Sequence, residues 1–162
     1  METQGSRNHL ADVVAEFEVA MLVTHTATAI HARPMALTRL GDDLDAYLVT
    51  DTQSLKLDEI SANPHALLCF QSARRFASVS GVITVMHDRD LIEALWKDSW
   101  KLRFPAGKSD PNIALLKFTA NEGEFWDNAG LQGLKYVYDA AKAYVAGKVP
   151  QSDERQHAKV SW

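Results

Sequence analysis

Residues Ile30 to Leu40 are the most constraining stretch of this 162-residue chain. Their composition predicts a β-strand, yet Pro34 stands in the middle of it. Proline has no N–H to give to a ladder, so a strand that contains one belongs at a sheet edge, an end or a bulge. Arg33 stands beside it. Its guanidinium is permanently charged and carries five donors, here at a place where the backbone is not fully paired. A phosphate or carboxylate ligand suits Ala32-Arg33-Pro34-Met35 better than a plain core does.

The rest of the chain supplies further strands. Between Phe76 and His87 the apolar residues Ala77, Val79, Ile83 and Val85 alternate with Ser78, Ser80 and Thr84, the period of two of a half-buried strand. Gly81 within it predicts a bulge or a close backbone approach. Ala20 to Thr26, Leu44 to Thr50 and His65 to Gln71 also read as strands, and Gly41-Asp42-Asp43 as a hairpin turn. Ile113 to Ala120 and Glu124 to Asp127 predict a last strand or hairpin, and Lys159 to Trp162 a short added strand.

Helical spacing joins Leu10, Val13, Val14 and Phe17, with Asn8 as the cap. A short helix, Leu55 to Ala62, follows the polar cluster Asp51 to Ser54 and ends at Asn63-Pro64. Asp88 can cap a helix through Leu91, Ile92, Leu95 and Trp96. Trp100 to Asn112, with Pro105, Gly107 and Pro111, reads as a loop. Leu131, Leu134, Tyr138, Ala141 and Val145 mark a C-terminal amphipathic helix, followed by a polar tail from Gly147 to Gln156. Six strands in mostly hairpin order predict a mainly β fold, an antiparallel barrel decorated with helices. No repeat interrupts the chain. Its length fits a single domain over residues 1–162, with a core at about 10–130 and the helix and tail at 131–162.

Several function classes are disfavoured at once. The net charge is 17 − 21 = −4 with the basic residues scattered, whereas nucleic-acid binding needs a concentrated basic surface. No apolar run approaches the ~20 residues of a membrane span, and nothing resembles a signal peptide, so a cytoplasmic protein is expected. Cys69 is the one cysteine and lies in an apolar run, which reads as a core thiol. The six histidines lack helical zinc spacing and a thiolate cluster. Asp42, Asp43 and Asp45 read as a turn, not a calcium loop. No metal site is expected. Trp96 and Trp100, four apart, suit packing.

The cations converge instead. If the Gly41 hairpin forms, the end of the third strand lies near the start of the second. Arg33 and Lys56 can then flank one spot, beside the Thr50 and Ser54 hydroxyls and a helix N-terminus, a set that suits a phosphate. Neither of the glycine-rich phosphate loops occurs, and no Ser-His-Asp or paired-carboxylate arrangement marks an independent acid–base site.

At this point the chain resembles a known family. Ala32-Arg33-Pro34-Met35, Asp51 to Lys56 with Asp58-Glu59-Ile60, and Asn63-Pro64 resemble the flavin-binding split barrels related to pyridoxamine 5′-phosphate oxidase. Val79-Ser80-Gly81 and Asp88 fit the same group. Leu95-Trp96, Phe104-Pro105-x-Gly107-x-x-Asp110-Pro111 and Phe125-Trp126-Asp127 resemble its bacterial general-stress-protein branch, similar to general stress protein 26. The resemblance covers roughly residues 10 to 130.

It implies a six-stranded split barrel that forms a homodimer, with FMN in each of two clefts between protomers. Arg33 would contact the FMN phosphate or ribityl chain. Pro34, Met35 and Ala36 would lay backbone against the ring, Val49 and Thr50 would line the site, and Ser54 and Lys56 would hold the phosphate. Trp126 would reach the flavin from the other chain. The implied activity is that of a flavin-dependent oxidoreductase in a stress response, taking electrons from NAD(P)H or another small molecule. The alternative is a non-catalytic flavin-binding stress protein that carries, senses or sequesters. Haem or a deazaflavin is a third occupant found among barrel relatives. The oxidases carry arginine where this chain has Leu55 and glutamine where it has Phe76. Their C-terminal arginine signature is missing from Gln156-His157-Ala158-Lys159-Val160. These departures argue against pyridoxamine-phosphate oxidation itself and leave the catalytic residues unassigned.

Overall fold

A computed structural model describes residues 4–41, 43–149 and 156–162, with backbone alone for residues 131 and 132. Helix α1 (Gln4–Ala15) leads into strands β1 (Val19–His25), β2 (Ile30–Leu40) and β3 (Ala46–Asp51). Helix α2 (Lys56–Ala62) crosses to β4 (His65–Gln71) and β5 (Arg75–Met86). Helix α3 (Arg89–Leu95) and two 3₁₀ turns, Asp98–Leu102 and Gly107–Ser109, precede β6 (Ile113–Asp127). Helix α4 (Gly130–Val145) and β7 (His157–Ser161) follow. The strands run β3-β2-β1-β4-β5-β6, all antiparallel, and β3 pairs with β6 to close a six-stranded barrel. Strand β7 adds to β6 outside the ring.

The barrel is split where Pro34 predicts an edge. Ile30 to Ala36 pair with β1, from His25↔Ile30 to Val19↔Ala36. Strand β2 meets β3 only from Leu37 onward. Among the described residues the first half of β2 therefore has a strand on one side only, and a residue without an N–H is tolerated there. The same split leaves alternate backbone groups of residues 30–36 available to something other than a strand.

Alternation fills the interior. Ala20 and Leu22, Ala46 and Leu48, Leu68 and Phe70, Val79 and Ile83, and Leu116 and Phe118 face inward, and Leu10, Val13 and Val14 of α1 join the same cluster. The first part of strand β6, residues 113–116, is buried on both faces, because Ile113 and Leu115 pack outward against Ile92, Trp100 and Phe104. That second cluster pins the 3₁₀ segment after α3 to the barrel wall. Burying Phe104, 1% exposed, contributes about 1.5–3 kcal/mol.

Gly81 meets both expectations for it. The β5–β6 register shifts between Ser80 and Gly81, so that Asn121 is extra. A Cβ at Gly81 would lie 2.2 Å from the Thr119 carbonyl oxygen and 2.6 Å from the Phe118 ring, which excludes any side chain.

Several boundaries differ from the sequence reading. Helix α1 is already formed at Gln4, so Asn8 lies inside it and does not cap. Its Oδ1 accepts a hydrogen bond from Gln4 Nε2 at 3.0 Å. Strand β3 starts at Ala46 because Leu44 takes a left-handed φ of 64° in the hairpin loop, which Gly41 N closes on the Asp45 carbonyl at 2.8 Å. That conformation costs about 1–2 kcal/mol, and the buried Leu44 side chain holds it in place. The two expected pieces of the last strand are one 15-residue strand, continuous through the bulge. The proposed loop contains the two 3₁₀ turns. Leu134, Tyr138 and Val145 of α4 are exposed, and no described residue of this helix enters either core cluster. Asp42 of the expected turn, the side chain of Leu131 and residues 150–155 of the expected tail lie outside the described residues.

Candidate functional site

The turn after β3, closed by Ser54 N on the Asp51 carbonyl at 3.0 Å, folds the start of α2 back on the strand's end, and three of the expected residues meet there. Lys56 is 7% exposed and Thr50 fully buried. The Lys56 amine donates to Thr50 Oγ1 at 2.8 Å and to Ser54 Oγ at 2.5 Å. Two of its three N–H donors are thus used, and both go to neutral hydroxyls. Each hydroxyl accepts from the amine, which leaves its own hydrogen free to donate. The two O–H groups and the remaining N–H lie within one cluster, a donor set that suits an anion.

Charge leads to the same place. Burial lowers the Lys56 pKa first, and the nearby positive charges of Arg103 and Arg33 lower it further, against smaller opposing effects of Asp51 and Glu59. No described carboxylate forms an ion pair with the amine. An anion brought here would relieve repulsion among three cations and offset the burial of one of them. Ser54 does not cap α2. The cap position falls on Leu55, without a side-chain hydrogen bond, because the Ser54 hydroxyl turns to the amine. With only seven residues in α2, the amine outweighs the helix dipole.

Arg33 is differently placed. Its Nη2 donates to Glu59 Oε2 at 2.7 Å. Thr24 Oγ1 donates to the same oxygen at 2.5 Å, and His31 Nδ1 lies 2.9 Å from the other. Thr24 and His31 face each other across β1 and β2, and α2 packs over them to deliver Glu59. Burial alone would raise the Glu59 carboxyl. The hydrogen bonds from Thr24 and Arg33, with the charges of Arg33 and His31, outweigh it and hold the pKa below the ordinary carboxylate value. The other guanidinium arm, Nη1, is buried and has no hydrogen-bond partner. An orphaned buried donor within electrostatic reach of an unneutralised lysine suits a phosphate group.

The remaining expected residues divide. Met35 packs its side chain against the barrel core, while Pro34 and Ala36 are exposed on the alternate face. Ala36 and Val49 line a groove of about 760 Å³ that also takes in Trp100 and Arg103. Trp126 is elsewhere. It lies near the far end of β6, whereas Thr50 pairs with Ala114 at the near end. Its ring stacks on His157 at 5.1 Å and 11°, so within one protomer it is not part of this corner. Glu59 and Arg103 stand outside the set of site residues that the sequence marks. Glu59 carries the signal of an acid one helical turn after Lys56. For Arg103 the only signal was a cation inside a Trp- and Phe-containing loop.

Fold and site together define a split antiparallel barrel with a cationic corner at the mouth of its opening. The chain belongs to the pyridoxamine 5′-phosphate oxidase-like family, whose model matches residues 5–151. Among solved structures it is similar to a general stress FMN/FAD binding protein from Xanthomonas citri, with 24% identity and a TM-score of 0.68 over 79% of this chain and 92% of that one. General stress protein 26 from Bacillus anthracis matches at 22% identity and TM-score 0.65, covering 74% and 92%. A pyridoxamine 5′-phosphate oxidase-related, FMN binding protein from Nostoc punctiforme matches at 18% and 0.60, covering 98% and 93%. At these identities the likeness is one of fold. No curated protein matches. Among the described residues no helix is long and apolar enough to cross a membrane.

Proposed function

We propose that this protein binds FMN, with the phosphate at Lys56, Thr50 and Ser54, and acts as a flavin-dependent oxidoreductase on a small molecule in a stress response. The observation that carries the reading is the buried Lys56 amine, held by two hydroxyls and by no carboxylate. FMN, when bound, supplies the electron-transfer chemistry. The chain supplies position and charge. Lys56 and the two hydroxyls donate to the phosphate, and Arg33 offers Nη1 while Glu59 fixes its other arm. The open edge of β2 from Arg33 to Ala36 offers backbone groups, and Val49 offers an apolar wall.

In this reading the working unit is a cytoplasmic homodimer whose second protomer brings Trp126 to the cleft. The remoteness of Trp126 from Lys56 within one chain supports that assignment. The electron donor is NAD(P)H or another small molecule. A non-catalytic flavin carrier or sensor is the second reading, supported by Leu55. This residue is 78% exposed where the oxidases place an arginine, and it contributes no charge. Purified protein should be yellow, or should take up added FMN with a shifted visible spectrum. Anaerobic mixing with NADPH and NADH then separates the readings: bleaching supports the enzyme, and flavin that stays oxidised with every donor supports the carrier. A colourless protein that ignores FMN would sink both.

A further inference from the structure

We infer that the groove between β2, β3 and the 3₁₀ segment after α3 binds a small anionic molecule with a flat apolar body, next to the proposed cofactor site. The groove measures about 760 Å³, within the range of sites that enclose small ligands. Phe17, Trp100 and Phe104 give it apolar walls. Trp96 packs edge-on against Trp100, with ring centroids 5.5 Å apart.

Positive charge gathers around this groove. Arg39, Lys97 and Arg103 all line it, and Glu18 is its one acid among the described residues. No side-chain hydrogen bond or ion pair engages any of the three cations within the described residues. Several basic side chains elsewhere find acids: Arg33 with Glu59, Arg75 with Asp127, Lys108 with Glu93, and Lys159 with Glu122. The chain as a whole is acidic, with 21 acidic against 17 basic residues. Three unpaired cations around one apolar hollow therefore mark a local positive field, which a cleft with low-dielectric walls focuses. Two of them are arginines, whose forked donors match a carboxylate. A molecule with a carboxylate on a planar body satisfies both the rim and the walls.

Because Ala36 and Val49 belong to this groove and to the proposed flavin site, the inference rests on the flavin reading for what the bound molecule would meet. Binding itself is separable. The test compares 4-nitrobenzoate with its neutral isostere 4-nitrobenzamide, by calorimetry and tryptophan quenching, on FMN-saturated protein and on protein as purified. At low ionic strength nitrobenzoate should bind about tenfold or more tightly than the amide, since one charge-assisted contact is worth that much. The preference should shrink with added salt. It should collapse in Arg39→Gln with Lys97→Gln, two exposed positions, while the amide binds as before.

Equal affinities, no binding of either probe, or a preference that survives the double variant would overturn the inference. FMN is titrated separately. A protein that takes up FMN but treats the two probes alike loses the groove assignment and keeps the flavin reading. One that refuses FMN but prefers nitrobenzoate does the reverse.

Discussion

Two cations at the mouth of this barrel, Lys56 and Arg33, look interchangeable in a sequence and are opposites in the structure. Arg33 already has an anion. Glu59 takes one guanidinium arm at 2.7 Å and is itself locked by Thr24 and His31. Lys56 has none. Its amine is buried against two hydroxyls, with its pKa pushed down by burial and then by Arg103 and Arg33. A buried charge without an opposite charge is costly, so the Lys56 corner is the place where an incoming phosphate has most to offer. In the proposed site the paired arginine would be a fixed wall, contributing chiefly through its Nη1 arm.

Removing both cations should have the largest effect. Arg33→Ala with Lys56→Ala should weaken FMN binding by about 3–6 kcal/mol, since each charge-assisted contact is worth roughly 1.5–3 kcal/mol. Unchanged affinity by calorimetry would mean that the phosphate lies elsewhere. Lys56→Met alone should cost about 2 kcal/mol of FMN affinity, yet raise the unfolding free energy of the ligand-free protein by about 1 kcal/mol, because a buried unpaired charge is replaced by an apolar side chain of similar length. Denaturant melts and titrations on the same sample read the two opposite signs.

Glu59→Gln sharpens the other side. It removes the counter-charge of Arg33 and weakens hydrogen bonds from Thr24 and Arg33, so stability should fall by about 1–2 kcal/mol. FMN affinity at low salt should rise severalfold, because Arg33 is released to the anion. A fall in affinity would show that Glu59 positions Arg33 more than it neutralises it.

The smallest effect is one of pH. Folding lowers the Lys56 pKa, so between that value and the ordinary lysine value the unfolded chain holds the extra proton. Stability of the ligand-free protein gains from this group as pH rises through that window. FMN affinity should move the other way and weaken as the amine loses its proton, at lower pH than an ordinary lysine would require. The dependence should be absent in Lys56→Met when dissociation constants are followed across the alkaline range.

Much of the architecture was readable in advance because it follows from local rules. Period-two alternation marked β5, Pro34 marked the split in β2, and Gly81 marked the bulge. What escaped was decided by distance and closure. Leu44 takes a left-handed conformation because its side chain is needed in the core, which no propensity records. Continuity of β6 through Asn121 depends on β5 and β7 flanking it. The Lys56 corner could be anticipated because Thr50, Ser54 and Lys56 lie within seven residues. The pairing of Arg33 with Glu59 could not, since it depends on how α2 lies across β1. Arg103 joins the site only through the packing of Phe104 and Trp100 beneath it.

Calorimetric titration of FMN and of riboflavin into the same purified protein isolates the phosphate's contribution, because the two ligands differ by that group alone. If Lys56, Thr50 and Ser54 hold that phosphate, FMN should bind about a hundredfold more tightly or better, as expected when two charge-assisted contacts at roughly 1.5 kcal/mol each are lost, and Lys56→Met should erase most of the gap. Equal affinity for the two ligands would contradict the account, as would a gap that Lys56→Met leaves intact.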